Sequence, residues 1–152
     1  MSEFDLPDAF TGEAGSFDAA RFFELARQVG HGRALGMEFE GWGDNWTELS
    51  LPWREELVGV PDSGILASGV IVSLIDTASG TAVWARLGRF QPIATLDLRI
   101  DYLRPALRGD TIYARCECVK LTRKIAFTRG TAHCGDIDAP IAYSSGTFML
   151  RT

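Results

Sequence analysis

Asp76 stands in the middle of a long apolar run. Between Leu66 and Leu87 the only other charged residue is Arg86. A carboxylate set between apolar turns is costly unless it is paired or put to use. In use, it deprotonates a water as a general base or attacks an electrophilic carbonyl itself as a nucleophile. The plainer alternative is a buried Asp accepting from a neighbouring backbone N–H. The run predicts a helix from about Ser68 to Leu87. Val70, Ile71, Val72, Leu74, Ile75, Val83 and Trp84 cannot share one side of it, so protein should surround it. Gly69, Ala78, Gly80 and Ala82 keep it slim enough for close backbone approach. Ser68 and Gly69 fall at its N-terminus, where unpaired N–H groups and the helix dipole favour negative charge. A simple Ser N-cap is the alternative there.

Other chemistries find little support. Neither His31 nor His133 accompanies a nucleophile motif. Cys116, Cys118 and Cys134 are an odd set without Cys-x-x-Cys spacing, which predicts neither a disulfide framework nor a zinc site. Cys116 and Cys118 share a strand face and read as core. No metal and no cofactor are expected. Trp42, Trp46, Trp53 and Trp84 suit a core, an interface or an acyl pocket without distinguishing them.

The 152 residues fit one domain, with 46% hydrophobic and 23% charged residues, an ordinary globular balance. A net charge of −5 argues against a nucleic-acid or anionic-membrane surface. The run around Asp76 is long enough to span a bilayer. A carboxylate at its centre costs about 2.5–3.5 kcal/mol on insertion, and Ser68, Ser73, Thr77, Ser79 and Thr81 dilute it further, so a helix buried in protein is expected. The start MSEFDLPDAF has no basic segment followed by an apolar run. With unpaired cysteines, this points to the cytoplasm.

Residues 1–15 read as a loose leader and 16–152 as one domain. Ser16 to Val29 predicts a helix, with Gly30 placed to end it. Leu35 to Glu40 and Asn45 to Leu51 predict strands, and 52–64 a loop. After the long helix, Ala94, Leu96, Leu98, Ile100 and Tyr102 alternate with Thr95, Asp97, Arg99 and Asp101, a period-two strand with Thr95 on its polar face. Further strands are expected at Thr111 to Leu121, Ile125 to Cys134 and Ile141 to Leu150, joined by short turns that make neighbours antiparallel. Ala126, Thr128, Gly130 and Ala132 form a small face, as do Ser144 and Gly146, letting a sheet curl around the central helix. The class is α+β, one antiparallel sheet around one helix.

Gly64-Ile65-Leu66-Ala67-Ser68-Gly69-Val70, with Leu74-Ile75-Asp76-Thr77-Ala78-Ser79-Gly80 after it, resembles the pattern Gly-x-x-His-Gly-Gly-Val then Leu-x-Asp-x-Ala-x-Gly. That is the signature of the hotdog-fold acyl-CoA thioesterases, in particular their phenylacetic-acid-degradation (PaaI-like) branch. Thr95-Leu96-Asp97-Leu98 with Asp101-Tyr102-Leu103-Arg104-Pro105-Ala106 is similar to the family's next strand, and Gly109-Asp110 and Ala126-Phe127-Thr128 fit positions further along the family pattern. The resemblance covers about residues 30–150. The chain departs from it at three places: the family His falls on Ala67, the next Gly on Ser68, and the loop Asn on Pro61.

The resemblance implies thioester hydrolysis, with Asp76 as base or nucleophile and a backbone N–H at Ser68 or Gly69 polarising the thioester carbonyl. A Ser in place of Gly keeps that donor. Ser68 and Asp76 are eight residues apart, about 12 Å at 1.5 Å per residue. One carbonyl cannot touch both within a chain, so the site is expected to span two protomers of an obligate homodimer, alone or as a dimer of dimers. Thr95 falls where relatives hold the reacting water; a β-favouring surface Thr is the alternative. Asp62 is read as structural, because a second carboxylate would repel the developing oxyanion. Arg123, Lys124 and Arg104 are candidates for the phosphates of coenzyme A. Two competing classes remain. A non-catalytic hotdog module binding acyl-CoA is favoured by the absent His and Asn. A dehydratase-like hotdog needs a His that Ala67 does not supply.

Overall fold

A computed structural model describes residues 16–151. The expected leader, residues 1–15, lies outside them. Helix α1 runs Ala19–Ala26, starting where the Asp18 side chain accepts from Arg21 N at 3.0 Å. This is shorter than expected, and the chain then turns into a second helix, α2 (Gly30–Leu35), where the glycines predicted a turn and the start of a strand. Gly30 begins α2 at φ +51° rather than simply ending α1. Buried Leu35 anchors α2 to the core, so packing overrides the poor helix propensity of Gly30 and Gly32.

Strands β1 (Glu38–Trp42) and β2 (Trp46–Leu51) form a hairpin. The expected loop contains a 3₁₀ turn (Glu55–Leu57) and a small hairpin, β3 (Val58–Val60) with β4 (Ile65–Leu66). Helix α3 spans Ser68–Leu87, and Gly88 ends it at φ +66°, donating to Trp84 O and Ala85 O. Strands β5 (Ile93–Tyr102), β6 (Ile112–Leu121), β7 (Ile125–His133) and β8 (Pro140–Leu150) complete the chain. The main sheet is antiparallel, in the order β1-β2-β6-β7-β8-β5. It wraps α3, whose Leu74, Ile75, Ala78, Ala82 and Val83 are wholly buried. By length and composition α3 passes for a membrane span, yet its apolar side chains pack into this core.

The curl depends on the small face predicted for β7. Ala126, Thr128, Gly130 and Ala132 alternate along β7 and are all buried. A Cβ on Gly130 would lie 2.5 Å from Ser144 Oγ and 2.6 Å from Cys116 Sγ. Gly130→Ala should therefore cost about 1–3 kcal/mol by overpacking, read as a lower midpoint in denaturant unfolding.

The helix is not surrounded on every side. Gly69, Val72, Ser73, Asp76 and Thr77, spaced i, i+3, i+4, i+7 and i+8, form a stripe that the sheet leaves uncovered, with Val72 39% exposed. This corrects the all-round burial expected from hydropathy. Among the described residues, strand β5 beside the stripe is the end strand of the sheet, paired only with β8.

Candidate active site

The Asp76 side chain is half-buried on that open stripe and faces β5. Thr95 Oγ1 donates to Asp76 Oδ1 at 2.9 Å. Thr95 thus lies on the inner side of its strand, not on the polar face that alternation predicted. A β-bulge is the cause. Thr95 pairs with Phe148 and Asp97 with Thr147, leaving Leu96 without an opposite residue. The extra residue resets the phase: Ile93 and Thr95 face inward before it, Leu98 and Ile100 after it, and Leu96 is 55% exposed.

At the other end of the stripe, Ala67 is the N-cap of α3, at φ −61° and ψ 132°, and among the described residues no side chain caps the helix. The Ser N-cap alternative is therefore not what the fold uses. Val70 N donates to Ala67 O at 3.0 Å. Ser68 and Gly69 are exposed, their N–H groups have no carbonyl a turn behind them, and a Cβ added to Gly69 would meet nothing within 4 Å. Tyr102, at the far end of β5, donates its hydroxyl to Ser68 O at 3.2 Å. Burial raises the Tyr102 phenol above its usual range, partly offset by that bond. Each end of β5 is thus tied to α3: Thr95 to the carboxylate, Tyr102 to the helix N-terminus.

A cavity of about 260 Å³ opens beside the carboxylate and runs along α3 past Thr77 and Gly80 to Trp84, with Ile93 and Phe148 from the sheet and Phe22 of α1 closing it. Phe22 packs edge-on to Trp84 at a centroid distance of 4.9 Å. A Cβ on Gly80 would lie 3.5 Å from Ile93 and 3.7 Å from Phe148, so the glycine keeps the cavity one methyl deeper.

The remaining candidates are dispersed. Arg104 donates to Ala139 O at 2.6 Å, past the Tyr102 end of β5. Arg123 and Lys124 lie in the β6–β7 turn at the opposite end of the sheet, where Leu150 N donates to Lys124 O. Pro61 accepts through its carbonyl from Arg108, and Asp62 is exposed. No group of three His, Cys, Asp or Glu is arranged for a metal among the described residues. Burial first, and the Asp76 charge last, push the Cys116 thiol up to about 12, so it offers no thiolate. His31 Nε2 lies 2.9 Å from Ser73 Oγ. His133 is buried, accepts from Gly135 N at Nδ1, and turns Nε2–H toward Glu48 at 3.3 Å. The Glu48 pairing is not legible in the sequence, because the partners lie on strands separated by the whole central helix.

Comparison with known proteins agrees with this architecture. The model of the Thioesterase superfamily matches residues 63–141, which include the whole of α3 and β5. The medium/long-chain acyl-CoA thioesterase YigI of Escherichia coli is 33% identical over 131 residues, 78% of this chain and 83% of that protein. A crystal structure of a Pseudomonas aeruginosa protein superposes with a TM-score of 0.76 at 37% identity, covering 88% of this chain and 97% of that one. The PaaI protein of the Escherichia coli phenylacetic acid degradation operon shares the fold, with a TM-score of 0.70 at 18% identity over 86% and 92% of the two chains. The chain belongs to the thioesterase superfamily, with the hotdog fold, and its class is that of the thioester hydrolases.

Proposed function

We propose that this chain hydrolyses acyl-CoA thioesters in a homodimer whose two sites each combine Asp76 and Thr95 of one protomer with the Ser68/Gly69 amides of the other. Asp76 serves as base or nucleophile, Thr95 orients it, and the helix N-terminal amides take the oxyanion. The observation that carries this reading is the tethering of β5 at both ends. A free ten-residue edge strand is a template for another strand. Two copies of β5 paired antiparallel about a two-fold axis set the Thr95 end of one against the Tyr102 end of the other. Tyr102 holds Ser68, so the partner's helix N-terminus arrives beside Asp76. The same pairing covers Leu96 and the open stripe of α3. The YigI name supports an acyl-CoA substrate, and three free thiols suit a cytoplasmic setting. Phe127, Tyr143 and Met149, exposed on the outer face of the sheet, fit packing of such dimers into a tetramer.

Binding without turnover is the second reading, and Ala67 and Pro61 favour it. Asp76 weighs against it, since an apolar-ligand binder gains nothing from a half-buried carboxylate. The test is thiol release from short-chain, long-chain and aryl acyl-CoAs, with the mass of the active species measured by sedimentation. Turnover by a dimer or larger assembly is expected. An active monomer would overturn the shared site, and no release from any thioester would leave the binding reading.

A further inference from the structure

Helix α3 opens with two amides that have no partner inside the helix, Ser68 N–H and Gly69 N–H, and the proposed site uses them as oxyanion donors. A peptide group is one conjugated unit, so the strength of its N–H depends on what its carbonyl holds. The carbonyl joined to the Ser68 nitrogen is that of Ala67, which accepts from Val70 N at 3.0 Å. The carbonyl joined to the Gly69 nitrogen is that of Ser68, and it accepts from outside the helix: Tyr102 Oη donates to Ser68 O at 3.2 Å. Tyr102 is the last residue of β5. Leu98, Ile100 and Tyr102 recur at period two, and Leu98 and Ile100 pack on the core, so the Tyr102 side chain leaves the strand on the side that faces α3. Burial raises the phenol above its usual range, so its oxygen keeps the proton that it donates.

We infer that Tyr102 is a positioning residue for hydrolysis: by donating to Ser68 O it polarises the Ser68–Gly69 peptide and strengthens Gly69 N–H as a donor to the oxyanion. The inference rests on the thioesterase reading and adds to it a residue that touches neither the thioester nor the carboxylate. A bond to a carbonyl draws electron density from the attached nitrogen, and hydrogen bonds linked in this way reinforce one another. The link runs from the Tyr102 hydroxyl through the Ser68 carbonyl and Gly69 N–H to the oxyanion. It is in place before substrate arrives, which is what oxyanion stabilisation requires. The next peptide provides a contrast. Gly69 O accepts from Ser73 Oγ at 3.1 Å, and Ser73 Oγ lies 2.9 Å from His31 Nε2. The N–H of that peptide belongs to Val70 and already donates to Ala67 O, so the Ser73 bond has no route to the reacting atoms. In the shared site Tyr102 belongs with the donor amides, so the Tyr102 of each protomer supports the carboxylate of the other.

Tyr102→Phe removes the hydroxyl and keeps the ring. It should lower kcat about fivefold and leave KM within about twofold, the scale of one neutral hydrogen bond felt in the transition state. Ring-fluorinated tyrosines at position 102 supply a readout that a structural tether would not move. Fluorine makes the hydroxyl a stronger donor and changes the ring's shape little, so kcat should rise with fluorination at a pH where the phenol stays protonated. A nitrogen-15 spectrum of glycine-labelled protein follows the donor without any turnover. The Gly69 amide proton should move upfield in Tyr102→Phe and downfield in the fluorinated proteins. Ser73→Ala is the control and should leave kcat unchanged. A Tyr102→Phe protein as fast as wild type, or a kcat indifferent to fluorination, would overturn the role, as would an unmoved Gly69 resonance. Loss of activity through dissociation of Tyr102→Phe into monomers, seen by sedimentation, would assign the hydroxyl to assembly and overturn it too. If wild type releases thiol from no thioester, the hydrolase reading fails, while a Gly69 resonance that tracks the phenol would still support the coupling of Tyr102 to that peptide.

Discussion

Asp76→Asn is expected to lower kcat by about 10²–10⁴, the usual contribution of a positioned acid–base group, with little change in KM. The substitution is nearly isosteric. Asn retains an oxygen to accept from Thr95 Oγ1, so the 2.9 Å tether between β5 and α3 has a replacement acceptor. What is lost is the charge, and with it the capacity to take a proton from water or to attack the carbonyl. Single-turnover thiol release separates this from a change in product release.

Stability provides the control. If Asp76 were a structural carboxylate, its replacement would cost folding free energy along with activity. In the fold its side chain accepts from a neutral hydroxyl, and none of the ion pairs among the described residues includes it. Desolvating an unpaired carboxylate is unfavourable, so Asp76→Asn should melt at the wild-type temperature or above it while turnover collapses. Functional groups often carry this signature, activity held at a cost in stability. A variant that melts much lower and retains its rate would assign Asp76 to the scaffold.

How much of this is legible in the sequence depends on which interaction sets each feature. Helix α3 is predicted from Ser68 to Leu87 and lies there, because a long apolar run bounded by glycine has few other solutions in a small domain. The carboxylate is legible for the same reason: its cost stands out against its neighbours. Alternation places Thr95 on the correct strand and the wrong face. Leu96 fits perfect alternation when read alone, and only the register against Phe148 and Thr147 reveals it as the bulged residue. Helix α2 is hidden because its glycines argue locally for a turn, and burial of Leu35 decides otherwise. The proposed division of the site between chains rests in the sequence on arithmetic alone, through the roughly 12 Å that a helix puts between Ser68 and Asp76.

That division gives the second large effect. Ser68→Pro should lower kcat by about 10²–10³, the loss seen when one oxyanion donor is removed, and it should do so without unfolding α3. Ser68 is the first helical residue, where proline is well tolerated because its missing N–H has no helical partner. Proline asks the preceding residue to be extended, and Ala67 already is, at φ −61° and ψ 132°. The carbonyl that accepts from Tyr102 is unchanged. Each single variant is therefore a folded protein with a different half of the site removed. Mixing Asp76→Asn subunits with Ser68→Pro subunits, under conditions that let protomers exchange, should then restore activity. In a mixed dimer one site receives both lesions and the other receives neither. Random exchange places half of the dimers in that state, so recovery should approach roughly one quarter of the wild-type rate. If the carboxylate and the donor amide acted within one chain, every site in the mixture would keep a lesion and the mixture would stay as inactive as its parts.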